Sequence, residues 1–434
     1  MKRPYALQVV MAGILAVGFA WSAIPSQAST VHTSRTNAGT SLRMAYFGGP
    51  TTEAQLQPIL SYYQNHYHAS VTLEPFPSTR DKEAIEIAAG TGPDVMMNGD
   101  GDVRWYAFKN QITNLMPYIK KDKYSLSQYV KGTLNIGYKG KGLYALPKDY
   151  STIAIYYNKD MFRAAGVPFP SNNWTWATFR KDAIKLTKNG VYGASLPGDW
   201  VRAVDPVVRS FGGALDNASG TKVEGYMNSA KTVAAIQFWV NLFLKDKVAP
   251  TPAQASSLGV GDLFASQKAA MSLTGVWPSL GDTGYPKTLK FNWGVAPFPR
   301  GSASTAKVNT ICYAGFTLTS TSKHKQLGWD LIKTMSGPVG DKVWGTAGGL
   351  PALKSVAKQH NVYKNKIFGV FLKEAKFSVL PSDINGPAAP QGVSDTLSQG
   401  LDLVLNTPGS ATVKQMLNIE AQKGQAAINQ YYGK

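Results

Sequence analysis

Apolar and polar positions along this chain keep switching between two rhythms. Leu42 to Phe47 reads as a strand. Thr52, with Gln55 three residues on, has the spacing of a capping box. Leu56, Ile59, Leu60 and Tyr63 then recur on one helical face. Val71 to Phe76 is a second strand, a helix runs from about Arg80 to Ala89 and stops at Gly90, and Asp94 to Met97 is a third strand. The texture resumes later. Ser151 to Tyr157 has the continuous apolar character of a buried strand, Asn158 can cap the short helix after it, and Gly166 ends that helix. Ser229 to Lys245 is a strong amphipathic helix with Val233, Ile236, Val240, Phe243 and Leu244 on one side. Ser322 starts another, carrying Leu327, Leu331 and Met335, and Val393, Leu397, Leu401 and Val404 stay in helical register near the C-terminus. Alternating strands and helices predict an α/β protein with largely parallel sheets.

Length changes this picture first. At 434 residues, 44% of them hydrophobic, the chain is too long for one small core and comfortable for two packed lobes. The N-terminus reads as a signal peptide over residues 1–28, followed by a polar leader over 29–40. Lys2 and Arg3 supply positive charge, Val9 to Ala23 is apolar, and Ser26-Gln27-Ala28 offers small residues for cleavage. A membrane anchor is the competing reading, although the apolar run is short for a span of about 20 residues. Cys312 is the only cysteine, so no disulfide forms within the chain and no cysteine follows the signal to carry lipid. Its apolar neighbours Ile311, Tyr313 and Ala314 mark it as a buried small hydrophobe. The formal charge of +19 comes from few acids more than from many bases. Lys and Arg are interspersed rather than gathered, which argues against a nucleic-acid face and for a basic surface suited to an anionic cell envelope.

Catalytic signatures are sparse. There is no nucleophile elbow and no phosphate loop. His66 and His68 lie two apart at a helix end, poor geometry for a shared metal, so neither a metal nor a cofactor is expected. Asn98-Gly99-Asp100-Gly101-Asp102 places oxygens at alternate positions like the start of a calcium loop. Val103 stands where glycine is needed and Lys109 where glutamate is. A turn after a strand end, or a cleft loop offering carboxylates to hydroxyls, accounts for it as well. Tyr156-Tyr157 could be paired iron ligands or simply core. A glycosidase needs two carboxylates at fixed separation, and nothing marks such a pair.

Several collinear segments resemble family 1 extracellular solute-binding proteins of ABC importers, the group that contains maltose-binding protein. They are Ala89-Gly90-Thr91-Gly92-Pro93-Asp94-Val95, Tyr144-Ala145-Leu146-Pro147, Ile155-Tyr156-Tyr157-Asn158-Lys159-Asp160, Lys268-Ala269-Ala270-Met271 with Gly275-Val276-Trp277, and Gly348-Gly349-Leu350-Pro351. The resemblance implies a two-lobed periplasmic-binding-protein fold (type II-like), each lobe a mostly parallel sheet flanked by helices, with a hinge of crossing segments. It places residues 41–148 plus 308–350 in the first lobe and 149–307 plus 351–434 in the second. Asp149 to Thr152 and Val308 to Thr310 then fall near hinge crossings.

The same resemblance implies a monomeric, secreted protein outside the cytoplasm that takes a sugar or short oligosaccharide into the interlobe cleft. It would hand this ligand to ABC permease subunits driven by a cytoplasmic ATPase. A polyol or anion, or a secreted carbohydrate-active enzyme, are the alternatives. Trp277, following Gly275, corresponds to a ring that stacks on sugar. Trp200, Arg202 and Asp205 fall by position in a second-lobe contact loop. Tyr150 and Ser151 precede the hinge strand, with Ser151 where a relative carries an acid that Asp149 could replace. Glu53 and the loop holding Asn98, Asp100 and Asp102 face the cleft from the first lobe, and Asp383 and Asn385 from a Pro-rich loop near the C-terminus.

Overall fold

Two β-sheets, built side by side from one winding chain, organise the computed structural model of the protein. It describes residues 39–433 apart from 76–79, 131, 282–283, 303, 348 and 387. The signal and most of the polar leader therefore lie outside the described residues, as does Phe76 of the second expected strand.

Strand β1 (Ser41–Tyr46), helix α1 (Gly49–Tyr67), strand β2 (Ser70–Pro75), helix α2 (Arg80–Ala88), strand β3 (Val95–Gly99) and helix α3 (Asp100–Phe108) open the fold. Leu56, Ile59, Leu60 and Tyr63 form the buried face of α1, as their spacing predicts. The helix starts three residues before Thr52, however. Gly48 and Gly49 adopt φ of 107° and 66°, turning the chain sharply off β1, and Pro50 suits the first helical turn. Asn158 caps the Lys159–Ala164 helix by accepting the N–H groups of Asp160 and Met161, and Ser229 caps Ala230–Leu244. Ser322 starts no helix. Its hydroxyl donates to Asp94 and accepts the His324 N–H, and the helix begins at Lys325.

The larger sheet has six strands in the order Leu350–Pro351, Leu146–Ser151, Cys312–Leu318, β3, β1, β2. Within it, parallel pairing is confined to β1 with β2 and β3. Cys312–Leu318 is antiparallel to both its neighbours. The smaller sheet sets Ala154–Asn158 between Met271–Thr274 and Trp293–Ala296, antiparallel to both. The expectation of mostly parallel sheets is corrected here. Parallel neighbours need a crossover in the same sheet, whereas strands that arrive from the other sheet are free to enter in either direction.

The same commuting divides the apolar run expected as one strand from Ser151 to Tyr157. Ser151 ends a strand of the larger sheet, Thr152 and Ile153 cross over, and Ala154 begins a strand of the smaller one. The chain crosses again between Asn309–Thr310 and Cys312. One core packs around the smaller sheet, with Trp176, Trp239 and Phe298 fully buried, and another around the larger, with Trp329 and Trp344. Ala352, Leu353 and Val356 still pack in the larger sheet's core. Cys312, a free thiol, is partly buried against the smaller sheet's core, and burial pushes its pKa up. Tyr156 and Tyr157 are core residues.

Candidate functional site

The strand Met271–Thr274 runs toward the crossing segments and ends in the turn Gly275-Val276-Trp277. A Cβ on Gly275 would lie 2.0 Å from the Trp277 ring, so only glycine lets the indole fold back over this turn. The turn is also held from behind. The Val276 N–H donates to Ser151 Oγ at 2.9 Å, while the Ser151 hydroxyl donates to the Thr152 carbonyl at 2.7 Å. Trp277 is thereby presented with 41% of its surface exposed, in a protein whose other large aromatics mostly sit in cores. Trp200 meets it edge to face, with ring centroids 6.1 Å apart.

Beside Trp277 lies a groove of about 940 Å³, all of whose lining residues fall between Ser195 and Thr288. It is lined by Ser195–Pro197, where Ser195 bridges to Ser272, and by Ser272–Thr274 at the end of their strand. Among the described residues Asp262 is the one carboxylate that lines it, and no Lys or Arg does. The Asp262 carboxylate accepts the N–H groups of Phe264 and Ala265 at 2.9 Å and the Tyr285 hydroxyl at 2.6 Å. This fixes the loop that forms one wall.

A second cluster sits where the two sheets' halves meet. Trp200 is the N-cap of the Val201–Ser210 helix, and Arg202 leaves the first turn of that helix. Its guanidinium lies 2.9 Å from Asp100 Oδ1, at the start of α3, and donates to Asp383 at 3.0 Å and to the Ile311 carbonyl at 3.5 Å. Burial pushes the Asp100 carboxyl up to about 6, against the pull of Arg202, and raises Asp383 likewise. Burial opposes the Arg202 cation, but Asp100 and Asp383 more than compensate and hold its pKa above the usual value. Asp205 accepts from Arg209 at 3.0 Å and from the backbone and hydroxyl of Ser382 at 3.1 and 3.0 Å. The neighbouring Asn385 donates to both oxygens of Asp216 at 3.2 Å, and burial raises Asp216 to about 7.

The remaining candidates fall elsewhere. Asp149 pairs with its neighbour Lys148, whose ammonium lies 4.8 Å from the Trp344 ring centroid. Tyr150 is buried among Ala154, Tyr156, Leu350 and Phe371. Ser151 supports the turn below Trp277 and faces no open space. Glu53 accepts from Tyr46 at 2.9 Å, and buried Asn98 accepts from Thr317 at 2.6 Å. Asp102 lies in the first turn of α3 with Asp100. The structure thus brings Gly275 and Trp200 against Trp277, which lines the groove, and joins Asp100, Arg202 and Asp383 at the seam. Sequence reasoning passed over Tyr285, Asp262 and Ser382. Asp262 lies in a loop, and Tyr285 and Ser382 open single helical turns, with no local signal separating any of them from its neighbours. Among the described residues no group of three or more metal-ligating side chains gathers, and no helix is long and apolar enough to cross a membrane.

The family model for bacterial extracellular solute-binding proteins matches residues 48–342. A galactooligosaccharide-binding protein of Bacillus subtilis is 23% identical over 325 residues, covering 71% of this chain and 72% of its own length. Among solved structures, an ABC substrate-binding protein of Listeria monocytogenes in complex with cycloalternan aligns with a TM-score of 0.78 and 24% identity, covering 91% of this chain and 99% of its own. A Mycobacterium tuberculosis protein in complex with glycerophosphocholine aligns at 0.74 and 19%, covering 89% and 98%. At such identities these structures establish the two-lobed fold.

Proposed function

The chain belongs to the bacterial extracellular solute-binding protein family, and from that premise we propose that it captures a sugar or short oligosaccharide in the interlobe cleft for an ABC importer. The observation that carries this reading is Trp277, a large ring held out of the core by Gly275 and Ser151 at the edge of the groove. An exposed indole offers a flat apolar face to the C–H side of a pyranose, while Ser195, Ser272, Thr274 and backbone groups of the groove can meet its hydroxyls. The names of relatives that bind galactooligosaccharide and cycloalternan agree with this.

The neighbour that holds glycerophosphocholine favours a second reading, a small charged or polyol solute. Among the described residues no Lys or Arg lines the groove to offset an anion's charge, which favours the sugar reading. Glycoside hydrolysis asks for two carboxylates across the scissile bond. Among the described residues the lining supplies Asp262 alone, already tied to Tyr285, which supports holding a sugar over cleaving it.

The protein works outside the cytoplasm as a monomer, and its partner is the permease. Its lobes are residues 41–148 with 308–350, and 149–307 with 351–434, the helix Lys354–Gln359 lying against the first. Titration calorimetry over a panel of mono- and oligosaccharides tests the proposal. Saturable heat with a sugar, lost in Trp277→Ala, is expected. A panel without binding, or glycan cleavage by the purified protein, would falsify it.

A further inference from the structure

Exposed rings and lysines come together in one stretch of the second lobe that takes no part in the groove. The basic excess is spread over most of the chain, but residues 354–379 concentrate it. They carry Lys354, Lys358, Lys364, Lys366, Lys373 and Lys376, all exposed, against a single acid, Glu374. Glu374 is buried, and its carboxylate is already taken by Lys307 at 3.3 Å and by the Asn309 amide at 2.8 Å. The surface of this segment is therefore positive with no acid of its own to offset it.

The middle of the segment is firmly set. Asn365 accepts the N–H groups of Ile367 and Phe368 at 2.8 and 3.2 Å and so starts the helix Phe368–Glu374. Phe371 and Glu374, three residues apart, are its buried side. Phe371 packs with Tyr156, Phe264 and Tyr285, and its carbonyl accepts the Thr152 hydroxyl at 2.9 Å. Steps of three and four residues put Lys366, Gly369, Lys373 and Phe377 on another face. A Cβ on Gly369 would meet nothing within 4 Å, so that face is open. Apolar groups break through at both ends of the helix. Tyr363 is 56% exposed before it, and Phe377 and Val379 are each 38% exposed after it. Tyr363 is followed by Lys364, and Phe377 follows Lys376 and has Lys307 Nζ 5.3 Å from its ring centroid. Pairing of Ser378–Val379 with Asn309–Thr310 holds this second end in place.

We propose that residues 363–379 form a peripheral docking surface that rests the second lobe on anionic phospholipid. Rings and lysines in alternation suit a partner that is anionic at its rim and apolar just beneath. In a headgroup layer the rings settle at the acyl boundary, while lysine stems lie along it and their ammonium groups reach phosphate. The two apolar ends bracket a helix about 10 Å long, so a flat, continuous surface meets both together. The segment lies on the bilayer and spans nothing. It would keep the protein at the membrane that houses its permease, and it stands apart from the sugar reading above.

Co-sedimentation of the secreted form with vesicles tests this, using phosphatidylglycerol and phosphatidylcholine in equal parts, and phosphatidylcholine alone. Binding to the anionic vesicles, weakened by salt, and little to the neutral ones is expected. A lysine beside an anionic bilayer contributes about fivefold in partitioning. The variant Lys364→Gln/Lys366→Gln/Lys373→Gln/Lys376→Gln should therefore lose about tenfold or more. A second variant, Lys181→Gln/Lys185→Gln/Lys188→Gln/Lys245→Gln, removes as many exposed charges elsewhere on the same lobe and should lose far less. Equal losses overturn the proposal, because net charge alone would then account for binding. Tyr363→Ser with Phe377→Ser should lose about threefold at constant charge, and an unchanged value overturns the bilayer as the partner. All these changes are at exposed positions, and melting temperatures check that each variant is folded. A wild type that sediments with neither vesicle overturns the proposal and turns the search to an acidic protein partner.

Discussion

The groove at Trp277 and the seam at Arg202 are neighbours made from opposite materials. The groove is walled by rings, hydroxyls and backbone, with one carboxylate already occupied by Tyr285. The seam concentrates Asp100, Asp205, Asp216 and Asp383 around Arg202 and Arg209. In the groove the polar and apolar surfaces are left available. In the seam nearly every charge is consumed by another, and burial makes each expensive to strip of its partner. Recognition and structure have thus been separated. The side that must accept a neutral ligand avoids charge, and the side that must hold two halves in register spends charge on itself. This protein has a formal charge of +19, so four carboxylates beside two arginines also make the seam a local exception to its composition.

The comparison breaks most readily at Arg202. Arg202→Ala leaves Asp100 and Asp383 buried without their cation, and the cost should be about 3–5 kcal/mol of folding stability. Urea unfolding reads it directly. A loss under 1 kcal/mol would show that the seam is more hydrated than its geometry implies.

Next comes the groove. Trp277→Ala should cost about 2 kcal/mol of ligand binding, roughly thirtyfold in Kd, while the melting temperature barely moves because the ring is exposed. Trp277→Phe should lose less. Gly275→Ala, which drives a methyl group into the indole, should mimic Trp277→Ala in calorimetry. Equal affinity in Gly275→Ala and wild type would mean that the ring position does not matter.

A smaller effect tests the support between the two regions. Ser151→Ala frees the buried Val276 N–H, and the expected loss is about 1 kcal/mol, shared between stability and affinity. Ser151→Thr retains the hydroxyl and should restore most of it. A threonine variant as weak as alanine would assign the effect to packing instead.

The smallest effect is in pH. The Asp100 carboxyl titrates near 6 in the folded protein and near 4 when unfolded. The folded state therefore holds a proton that the unfolded state releases. The stability this adds is full below about pH 4 and is lost as pH rises through about 6. Asp216, raised to about 7, acts in the same direction. Melting temperature should climb on acidification from pH 7 to pH 5, and Asp100→Asn should flatten part of that climb. Identical pH profiles for both proteins would contradict a buried, strained Asp100.

How much of this was legible in the sequence depended on distance along the chain. The α1 face, the Asn158 cap and the amphipathic helix that begins at Ser229 are all settled within a few residues, and each was visible. Arg202 and Asp383 are separated by 181 positions, and Ser151 and Val276 by 125. Ser151 was taken as a contact by its place beside the hinge strand, yet its hydroxyl is spent on the turn that carries the tryptophan. The strand expected from Ser151 to Tyr157 failed for a related reason. A continuous apolar run reports burial on both faces and carries no mark of which sheet it joins, so periodicity missed the crossing at Thr152–Ile153, and only the family resemblance pointed to one at Asp149 to Thr152.

What the sequence determined by itself is the set of local commitments and the family they spell in order. These are amphipathic helices, the Asn158 cap, buried strands, and an alternation of strand and helix that makes an α/β protein. The physical reason is that periodicity, capping and glycine conformation are short-range and act before any tertiary contact exists. Strand direction and the fate of each charged side chain were decided only by the tertiary structure. A carboxylate such as Asp100 is equally suited to a ligand hydroxyl, a helix N-terminus or an arginine. Which partner it takes is settled when folding brings Arg202 within 2.9 Å and removes the water between them.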